Sequence, residues 1–389
     1  MIIQDGVVPW VEKYRPDNLH NIHGHEEILS TLQRFMRANQ LPNLLLHGPA
    51  GTGKTTTAVA ICKQIFGNKE YKMSTLELNA SDDRGIGVIR NEVKNFAQST
   101  SFGSFTFEKV GKEQAKQQQE TLNDGDVVMA DAAGDNSGGL DIYAKIRSQY
   151  KVVILDEADS MTNVAQFALR RMIEQYSSNV RFMIICNFAH KIIPALVSRC
   201  TAFRFSVLPE EHTAACVHKV AQHENLDVDV RAVSALQKCS NGDLRKVLNM
   251  LQSLAILEKA KKKKLPSTSA SNENAQAHKT RISEAEIYRS LGLCTPQELD
   301  LVVKELLTNS DPEKLVQLIL SQRGNLQSML PGLHARLIKL PFKAPATRLK
   351  VVEALSSVEW RFTQGAFKPE YEAAYLVNEI MVLRAGWQY

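Results

Sequence analysis

The six cysteines of this chain are few and scattered, and no two of them form a C-x-x-C pair. Structural zinc sites and disulfide frameworks need cysteines at short, regular spacings, so the sequence predicts neither of them. The chain also has no apolar run as long as a membrane span, and its first residues lack the basic and apolar regions of a signal peptide. These absences favour a protein of a reducing compartment inside the cell.

The chain also has little net charge, because its 47 basic and 42 acidic residues leave a formal value of only +5. Such a mild excess permits a nucleic-acid partner but does not identify one, since the clustering of the charge decides binding. The length of 389 residues exceeds what one hydrophobic core supports and predicts two or three domains. A hydrophobic content of 44% and a charged content of 23% are typical of an ordinary globular protein.

Residues 48–55 read GPAGTGKT and match the phosphate-binding pattern G-x-x-x-x-G-K-[ST] at every fixed position. The glycines allow successive backbone N–H groups to point at one anion, and the following helix presents its positive end to the same phosphates. An apolar run at 44–47 predicts a buried strand before this P-loop, and the spacing of apolar residues over 56–66 predicts a helix after it. In that context Lys54 is expected to reach the β- and γ-phosphates and Thr55 to bind Mg²⁺.

Two further apolar runs end in polar side chains suited to the same site. Residues 152–155 form a predicted buried strand that is followed by Asp156 and Glu157, the pattern called Walker B. Strand ends of open α/β sheets carry ligand-binding groups, so Asp156 is assigned to the Mg²⁺ shell and Glu157 to the attacking water. A strand over 181–187 ends in Asn187, which is placed to sense the γ-phosphate or to orient water. A further strand over 76–79 completes the prediction of an α/β sheet domain.

Basic residues suggest a third group of contacts. A helix is predicted over 86–96, and it brings Arg84, Arg90 and Lys94 near one another. A helix N-terminus with arginines can hold a phosphate, although a charge cluster is also compatible with a solvated helix face.

Two isolated arginines stand outside these patterns. Arg199 lies outside the site formed by the P-loop and Walker B, so it is either a surface residue or a contributor to a neighbouring subunit's site. Arg245 follows a predicted N-cap at Asp243, where a cation opposes the helix dipole, which hints at a phosphate contact.

Composition divides the chain into three predicted domains. Residues 1–208 form the α/β domain, with a disordered insertion predicted over 99–148 because this segment is rich in polar residues and lacks periodicity. Residues 209–292 form a helical domain with a flexible linker over 259–282, in which the lysine run 261–264 suits a nuclear-import signal, a tail near DNA or a solvated linker. Residues 293–389 form a separate helical domain for packing or oligomerisation.

Five segments together resemble one family. Residues 10–16 (WVEKYRP), 78–85 (LNASDDRG), 156–159 (DEAD), 198–200 (SRC) and 242–245 (GDLR) are similar to the sequence boxes of replication factor C small subunits, which are AAA+ clamp-loader ATPases. Within the family, residues 187–191 and 96–100 most resemble the subunit type numbered third in budding yeast and fifth in human nomenclature. The resemblance implies an AAA+ P-loop NTPase domain with a RecA-like parallel sheet, a helical lid and a C-terminal helical collar.

The resemblance also implies a role for each matching residue. The implied catalytic residues are Lys54, Asp156, Glu157, Asn187 as sensor 1, Arg245 as sensor 2, and Arg199 as an arginine finger acting in trans. Thr55 and Asp156 would bind Mg²⁺. Arg84, Arg90 and Lys94 would face DNA. The implied ATP/ADP-binding residues are Val8, Tyr14, Arg15, Pro16, Gly48, Pro49, Ala50, Gly51, Thr52, Gly53, Lys54, Thr55, Thr56, Asn187 and Arg245.

By the same resemblance, the chain would act in the nucleus within a heteropentamer of replication factor C subunits. The complex would open the sliding clamp PCNA and load it onto primer–template DNA, and the chain could also serve clamp loaders with a different large subunit. A nucleotide-binding structural subunit with little turnover and a related AAA+ DNA remodeller are the two alternatives. Two departures from the family stand out: Gly87 replaces an Asp, which predicts a later helix start, and the insertion at 100–147 is not typical.

Overall fold

The computed structural model describes residues 8–81, 86–99, 143–264, 280–322, 326–342, 345–365 and 368–384. The chain divides into two compact units, one made of Met1–Cys216 with Ser240–Asn249 and the other of Val217–Cys239 with Met250–Tyr389. The division into three domains at residues 208 and 292 stays a prediction.

The first unit alternates strands and helices. Its elements are α1 (Trp10–Lys13), α2 (Glu26–Arg37), β1 (Leu44–His47), α3 (Lys54–Ser74), β2 (Thr75–Asn79), α4 (Ile86–Gln98), α5 (Ala144–Gln149), β3 (Lys151–Asp156), α6 (Asn163–Tyr176), β4 (Val180–Cys186), α7 (Pro194–Val197) and β5 (Thr201–Arg204). The helix predicted after the P-loop is longer than its apolar pattern, because it resumes beyond a non-helical residue at Gly67.

The five strands form one parallel sheet in the order β2-β3-β4-β1-β5, which confirms the predicted α/β fold. β1 lies in the interior of the sheet, where Leu44 pairs with Met183 of β4 and with Thr201 of β5. Because all the strands run in the same direction, their carboxyl ends lie along one edge of the sheet. The loops that follow β1, β3 and β4 therefore meet at this edge, where open α/β sheets bind ligands.

Alternate strand residues bury the two faces of the sheet. Leu44 and Leu46 of β1 pack with Ile61 of α3 in one apolar cluster, whereas Leu45 packs with Leu169 of α6 in another. Helices thus cover both faces, and this is why the strand sequences read as continuous apolar runs rather than as alternating patterns.

Lys151 connects the beginning of β3 to the end of α4. Its side chain is 6% exposed, and its Nζ donates to the Phe96 carbonyl at 2.8 Å, to Ser99 Oγ at 2.7 Å and to the Ser99 carbonyl. Burial lowers the pKa of this ammonium group. The contacts satisfy carbonyls at the C-terminal end of α4, where a cation is also favoured by the helix dipole.

The second unit is mainly helical. Its helices from Pro296 to Leu383 share one apolar core to which Leu306, Leu333, Val358 and Leu376 contribute. The remaining elements of the chain are α8 (Glu210–His223), β6 (Leu226–Val228), α9 (Val230–Ser240), α10 (Leu244–Lys264), β7 (Thr280–Ile282), α11 (Glu284–Ser290), α12 (Pro296–Thr308), α13 (Pro312–Ser321), α14 (Leu326–Leu337), α15 (Pro345–Thr363) and α16 (Pro369–Leu383).

Two predicted irregular segments are partly wrong. Within the predicted insertion 99–148, the structure has helix α5, whose Ile146 is buried and whose Arg147 donates from Nε and Nη2 to the Ile65 carbonyl at 3.0 and 2.8 Å. Within the predicted linker 259–282, α10 continues through Lys264 and β7 pairs with β6, so both ends have regular structure. Residues 100–142 and 265–279 lie outside the described residues. Within the described part, no helix has both the length and the apolar character needed to cross a membrane.

Candidate functional site

The P-loop connects β1 to α3 at the carboxyl edge of the sheet. Its backbone needs glycine at two close approaches: a Cβ at Gly48 would lie 2.1 Å from the Phe205 carbonyl oxygen, and Gly51 has a φ of +69°. Both residues have positive φ, which L side chains adopt at a cost. Gly48, a fixed glycine of the pattern, and Gly51, at one of its variable positions, are therefore required by the local geometry of this chain.

Lys54 begins α3 and folds back over the loop that precedes it. Its side chain is 6% exposed. Nζ donates to the carbonyls of Gly48 and Pro49 at 2.8 and 2.7 Å and to Asn187 Oδ1 at 3.0 Å. Burial lowers the pKa of the ammonium group, and the negative charge of Asp156 works in the opposite direction. The loop thus holds a desolvated cation beside the N-terminus of α3, a combination that favours an anion.

Thr55 and Asp156 are joined directly. The Thr55 hydroxyl donates to Asp156 Oδ2 at 2.7 Å, although 101 positions separate the two residues in the sequence. Asp156 is the last residue of β3, and its Oδ1 accepts a hydrogen bond from the Glu157 N–H at 2.8 Å. A hydroxyl and a carboxylate oxygen form a hard donor pair of the kind that Mg²⁺ prefers.

Glu157 is the exposed residue immediately after β3. Its φ of +54° puts a non-glycine residue in the left-handed region, a conformation that costs on the order of 1 kcal/mol or more and often marks a functional position. Glu157 thus directly follows Asp156 at the carboxyl end of β3.

Asn187 follows β4, the strand between β1 and β3. Its side-chain oxygen accepts from Lys54 Nζ, so the structure brings together the P-loop and the polar tips of β3 and β4. Lys54, Thr55, Asp156 and Asn187 were all predicted from the sequence, and they form two bonded pairs that start from adjacent residues of α3.

Arg245 also belongs to the first unit and stands next to the P-loop. The N–H of Leu244 donates to the Gly51 carbonyl at 3.3 Å. The predicted N-cap at Asp243 is confirmed, since Asp243 Oδ1 accepts from the N–H groups of Arg245 and Lys246 at 2.9 and 3.3 Å. A Cβ on Gly51 would lie 1.7 Å from that carboxylate oxygen. Sequence reasoning found the cap but missed its contact with the P-loop, because nothing local links residues 51 and 243.

The N-terminal segment predicted to border the adenine is ordered by its own contacts. Trp10 is buried, and its ring meets that of Tyr14 edge-on at a centroid distance of 6.4 Å. Arg15 Nη2 donates to Glu12 at 2.8 Å, while Val8 is 56% exposed. Among the described contacts none joins Val8, Arg15 or Pro16 to the P-loop, so their role at the nucleotide stays a prediction.

Arg199 lies away from this group. It precedes β5, whose first residue, Thr201, pairs with the first residue of β1, Leu44. The P-loop begins only after the last residue of β1. The two positions are thus separated by the length of a four-residue strand, about 13 Å, and the guanidinium of Arg199 is held by Glu174 on α6. Arg199 does not join the site of its own chain.

The residues predicted to face DNA are only partly described. Arg90 and Lys94 are exposed and lie one turn apart on α4, on the same side of the helix. Arg84 lies outside the described residues. The expectation that Gly87 delays the start of the helix is wrong, because α4 already includes it and a Cβ there would meet no atom within 4 Å.

Comparisons with known proteins agree with this geometry. The family model described as "ATPase family associated with various cellular activities (AAA)" matches residues 44–207. "Replication factor C subunit 3" of Saccharomyces cerevisiae is 36% identical, with 92% of this chain and 88% of the relative covered. "Probable replication factor C subunit 5" of Dictyostelium discoideum is 38% identical, with 92% and 86% covered. "Replication factor C subunit 5" of Arabidopsis thaliana is 35% identical, with 93% and 84% covered.

The matched AAA region begins with β1 and ends just after β5, so it contains the whole parallel sheet and the P-loop, Walker B and Asn187 positions. The relatives cover nearly all of the chain, including the helical second unit. The resemblance seen in the sequence is therefore confirmed, and the chain belongs to the replication factor C subunit family of AAA ATPases.

Proposed function

We propose that this chain is an ATP-hydrolysing subunit of a heteropentameric clamp loader. The complex would open the ring-shaped sliding clamp PCNA when ATP binds and leave it on primer–template DNA after hydrolysis, in the nucleus, during DNA replication and repair. Its partners would be other replication factor C subunits, including alternative large subunits. The names of the relatives support replication as the process, and the arrangement of the site supports the chemistry.

One observation carries the proposal: the P-loop, Asp156 and Asn187 meet at the carboxyl edge of the sheet, whereas Arg199 lies away from them. Lys54 donates to Asn187, and the adjacent Thr55 donates to Asp156, while Arg199 stands at the opposite end of the strands. Phosphoryl transfer needs positive charge around the transferred phosphate, and an arginine supplied by a neighbouring subunit is a frequent source. Arg199 would therefore act on the next subunit, and another subunit would complete this one.

Within the site, each side chain has a distinct role. Lys54 would exchange its contacts with the Gly48 and Pro49 carbonyls for oxygens of the β- and γ-phosphates. Glu157 would accept a proton from the attacking water or polarise it, and Asn187 would orient that water or the γ-phosphate. Arg245, at the N-terminus of α10, would add positive charge beside the P-loop.

Thr55 and Asp156 would hold Mg²⁺, and their bonded hydroxyl and carboxylate oxygens fit that ion. When bound, Mg²⁺ would neutralise charge on the β- and γ-phosphates. The adenine would lie against the segment that contains Val8, Tyr14, Arg15 and Pro16.

DNA would be held through its phosphates by Arg84, Arg90 and Lys94, with little dependence on base sequence. The exposure and spacing of Arg90 and Lys94 on α4 support this assignment. The helices of residues 293–389 would form the collar that joins the subunits.

The deciding experiment measures steady-state ATP hydrolysis by the chain alone and in the reconstituted complex, each with and without clamp and primed DNA. We expect feeble activity from the chain alone and a strong rise when partners, clamp and DNA are present. If the chain alone hydrolyses ATP as fast as the complex does, and the clamp does not change that rate, the result would favour an AAA+ remodeller that needs no partner subunits. Nucleotide binding without turnover in a single-turnover assay of the complex would favour a structural subunit.

A pair of variants tests the assignments inside the site. Lys54→Ala should weaken ATP binding, because it removes the cation that faces the phosphates. Glu157→Gln should retain ATP binding and lose turnover, because the amide cannot take a proton from water. The complex with Lys54→Ala in this subunit gives the activity expected when its site is inactive. If the complex with Glu157→Gln hydrolyses ATP at the normal rate and not at that lower one, the Walker B assignment is wrong.

A further inference from the structure

The side chain of Arg199 is held in one orientation by its own subunit. Its Nε atom donates to Glu174 Oε1 at 2.8 Å, and its Nη2 atom lies 2.6 Å from the same oxygen in an ion pair. Its Nη1 atom donates to the Ala195 carbonyl at 2.7 Å. Arg199 follows α7 and Glu174 lies on α6, so the contact connects two different elements rather than two positions of one helix.

The contact leaves one end of the guanidinium available. An arginine has five N–H donors in a planar fork, arranged as an Nε–Nη2 edge and an Nη1–Nη2 edge. Glu174 occupies the first edge. On the second edge, Nη1 already donates to the Ala195 carbonyl at 2.7 Å and makes a longer contact of 3.4 Å to Ser198 Oγ, whereas the second N–H of Nη2 has no hydrogen-bond partner among the residues that the structure describes. The Arg199 side chain as a whole is 34% exposed, and the second N–H of Nη2 is the donor that an incoming oxyanion would use.

A second arginine keeps the group positive. Arg170, one turn before Glu174 on α6, donates from Nε to the same Oε1 atom at 3.2 Å. Hydrogen bonds from Arg170 and Arg199 lower the pKa of the Glu174 carboxyl, which therefore stays ionised near neutral pH. Two cations on one carboxylate leave one net positive charge, so the ion pair does not cancel the attraction of Arg199 for a phosphate.

We propose that Glu174 is a positioning residue for Arg199, which it holds by the Nε–Nη2 edge so that the Nη1–Nη2 edge meets a phosphate of the nucleotide bound to a neighbouring subunit. This inference rests on the proposed trans role of Arg199 and adds the group that orients it. Arg170 balances the Glu174 charge. The ligand class is a nucleoside triphosphate in another subunit's P-loop.

Orientation matters here because the arginine reaches its target across a subunit boundary. An unrestrained arginine side chain loses considerable rotamer freedom when it docks, and a guanidinium that is fixed in advance loses less. A merely structural surface ion pair between α6 and the segment after α7 would affect stability slightly and catalysis not at all. The two roles therefore differ in what a charge-removing substitution changes.

The test uses the reconstituted complex with clamp and primed DNA. In every sample this chain also carries Glu157→Gln, so hydrolysis by its own site is absent and changes report on other subunits. Within that background, Glu174→Gln, Arg199→Ala and the double variant are compared for kcat and KM of ATP hydrolysis. Asp300→Asn is the matched control, since Asp300 is an exposed carboxylate that accepts from Arg336 Nε in the second unit.

We expect Glu174→Gln to lower kcat about fivefold with KM for ATP unchanged, the size of effect that one exposed charged contact can produce. Arg199→Ala should cost much more, and Glu174→Gln should add nothing in the Arg199→Ala background. Asp300→Asn should leave both constants unchanged. Thermal melting curves of the complexes verify that each variant is folded.

Three results overturn the proposal. An unchanged kcat in Glu174→Gln, with a large loss in Arg199→Ala, means that Arg199 needs no orienting carboxylate. Independent effects that multiply in the double variant mean that Glu174 acts elsewhere. If Arg199→Ala has no effect on ATP hydrolysis, Arg199 does not act in trans at all. That result would contradict the proposed function as well, which the first two results would not.

Discussion

Substitution of Gly51 by alanine would test the contact between the P-loop and the N-terminus of α10. A Cβ at this position would lie 1.7 Å from Asp243 Oδ1 and 2.4 Å from Asp243 Cγ, in a backbone with a φ of +69°. The Asp243 side chain would have to move, and the N–H groups of Arg245 and Lys246 would lose their acceptor. The substitution therefore combines backbone strain with the loss of a helix cap.

The two costs can be separated with a control in the same loop. Gly53 also has a positive φ, of +93°, but a Cβ there would meet nothing within 4 Å. Alanine at either position costs about 1 kcal/mol of strain. Only Gly51→Ala adds the lost cap, which is worth about 1 kcal/mol.

Thermal unfolding of the two variants measures the difference. An added cost of about 1 kcal/mol should lower Tm by about 2–4 °C more in Gly51→Ala than in Gly53→Ala, for a unit of this size. In an Asp243→Ala background the cap and the two nearest clashing atoms are already absent, so the excess Tm shift of Gly51→Ala over Gly53→Ala should shrink to what the remaining 3.1 Å contact with the Cα at position 243 costs. Equal Tm shifts in the wild-type background, or an undiminished shift in the Asp243→Ala background, would refute the reasoning.

Three further predictions concern other contacts. Lys151→Met should speed amide hydrogen exchange in the last turn of α4, because the carbonyls that Nζ satisfies lose their donor; unchanged exchange, with exchange in α6 as the internal reference, would contradict this. Asn187→Ala should lower hydrolysis at this subunit's own site about 100-fold, the size of loss when one positioned polar group is removed, with the Kd for ATP nearly unchanged, measured as the part of the activity of the complex that Glu157→Gln also removes; a selective rise in Kd would instead make Asn187 a ground-state contact. Arg90→Ala and Lys94→Ala should each reduce the slope of log K for DNA against log salt by about 1, measured by fluorescence anisotropy; unaltered slopes would exclude both residues from the DNA interface.

The local features of the site were predictable because they depend on neighbours in the chain. The glycines and Lys54 of the P-loop, the apolar strand before Asp156 and the N-cap at Asp243 each follow from spacing over fewer than about ten residues. The helices of residues 296–384 were likewise predicted, and their bounds in the structure lie close to the expected ones. The segments 144–148 and 259–264 were predicted wrongly, since polar composition concealed helices that begin or continue there.

The sequence by itself determined that this chain contains a P-loop, a Walker B strand and the sequence boxes of its family, because short-range backbone and packing preferences specify them. Only the tertiary structure decided which distant residues meet. Strand order puts β4 between β1 and β3, and this alone brings Asn187 to Lys54 across 133 positions. Because β5 runs parallel to β1, Arg199, which precedes β5, lies at the end of the strands opposite to the P-loop, where it contacts Glu174. Such contacts depend on chain crossovers whose geometry no local pattern records, and for that reason only the folded molecule shows that Asn187 meets Lys54 and that Glu174 meets Arg199.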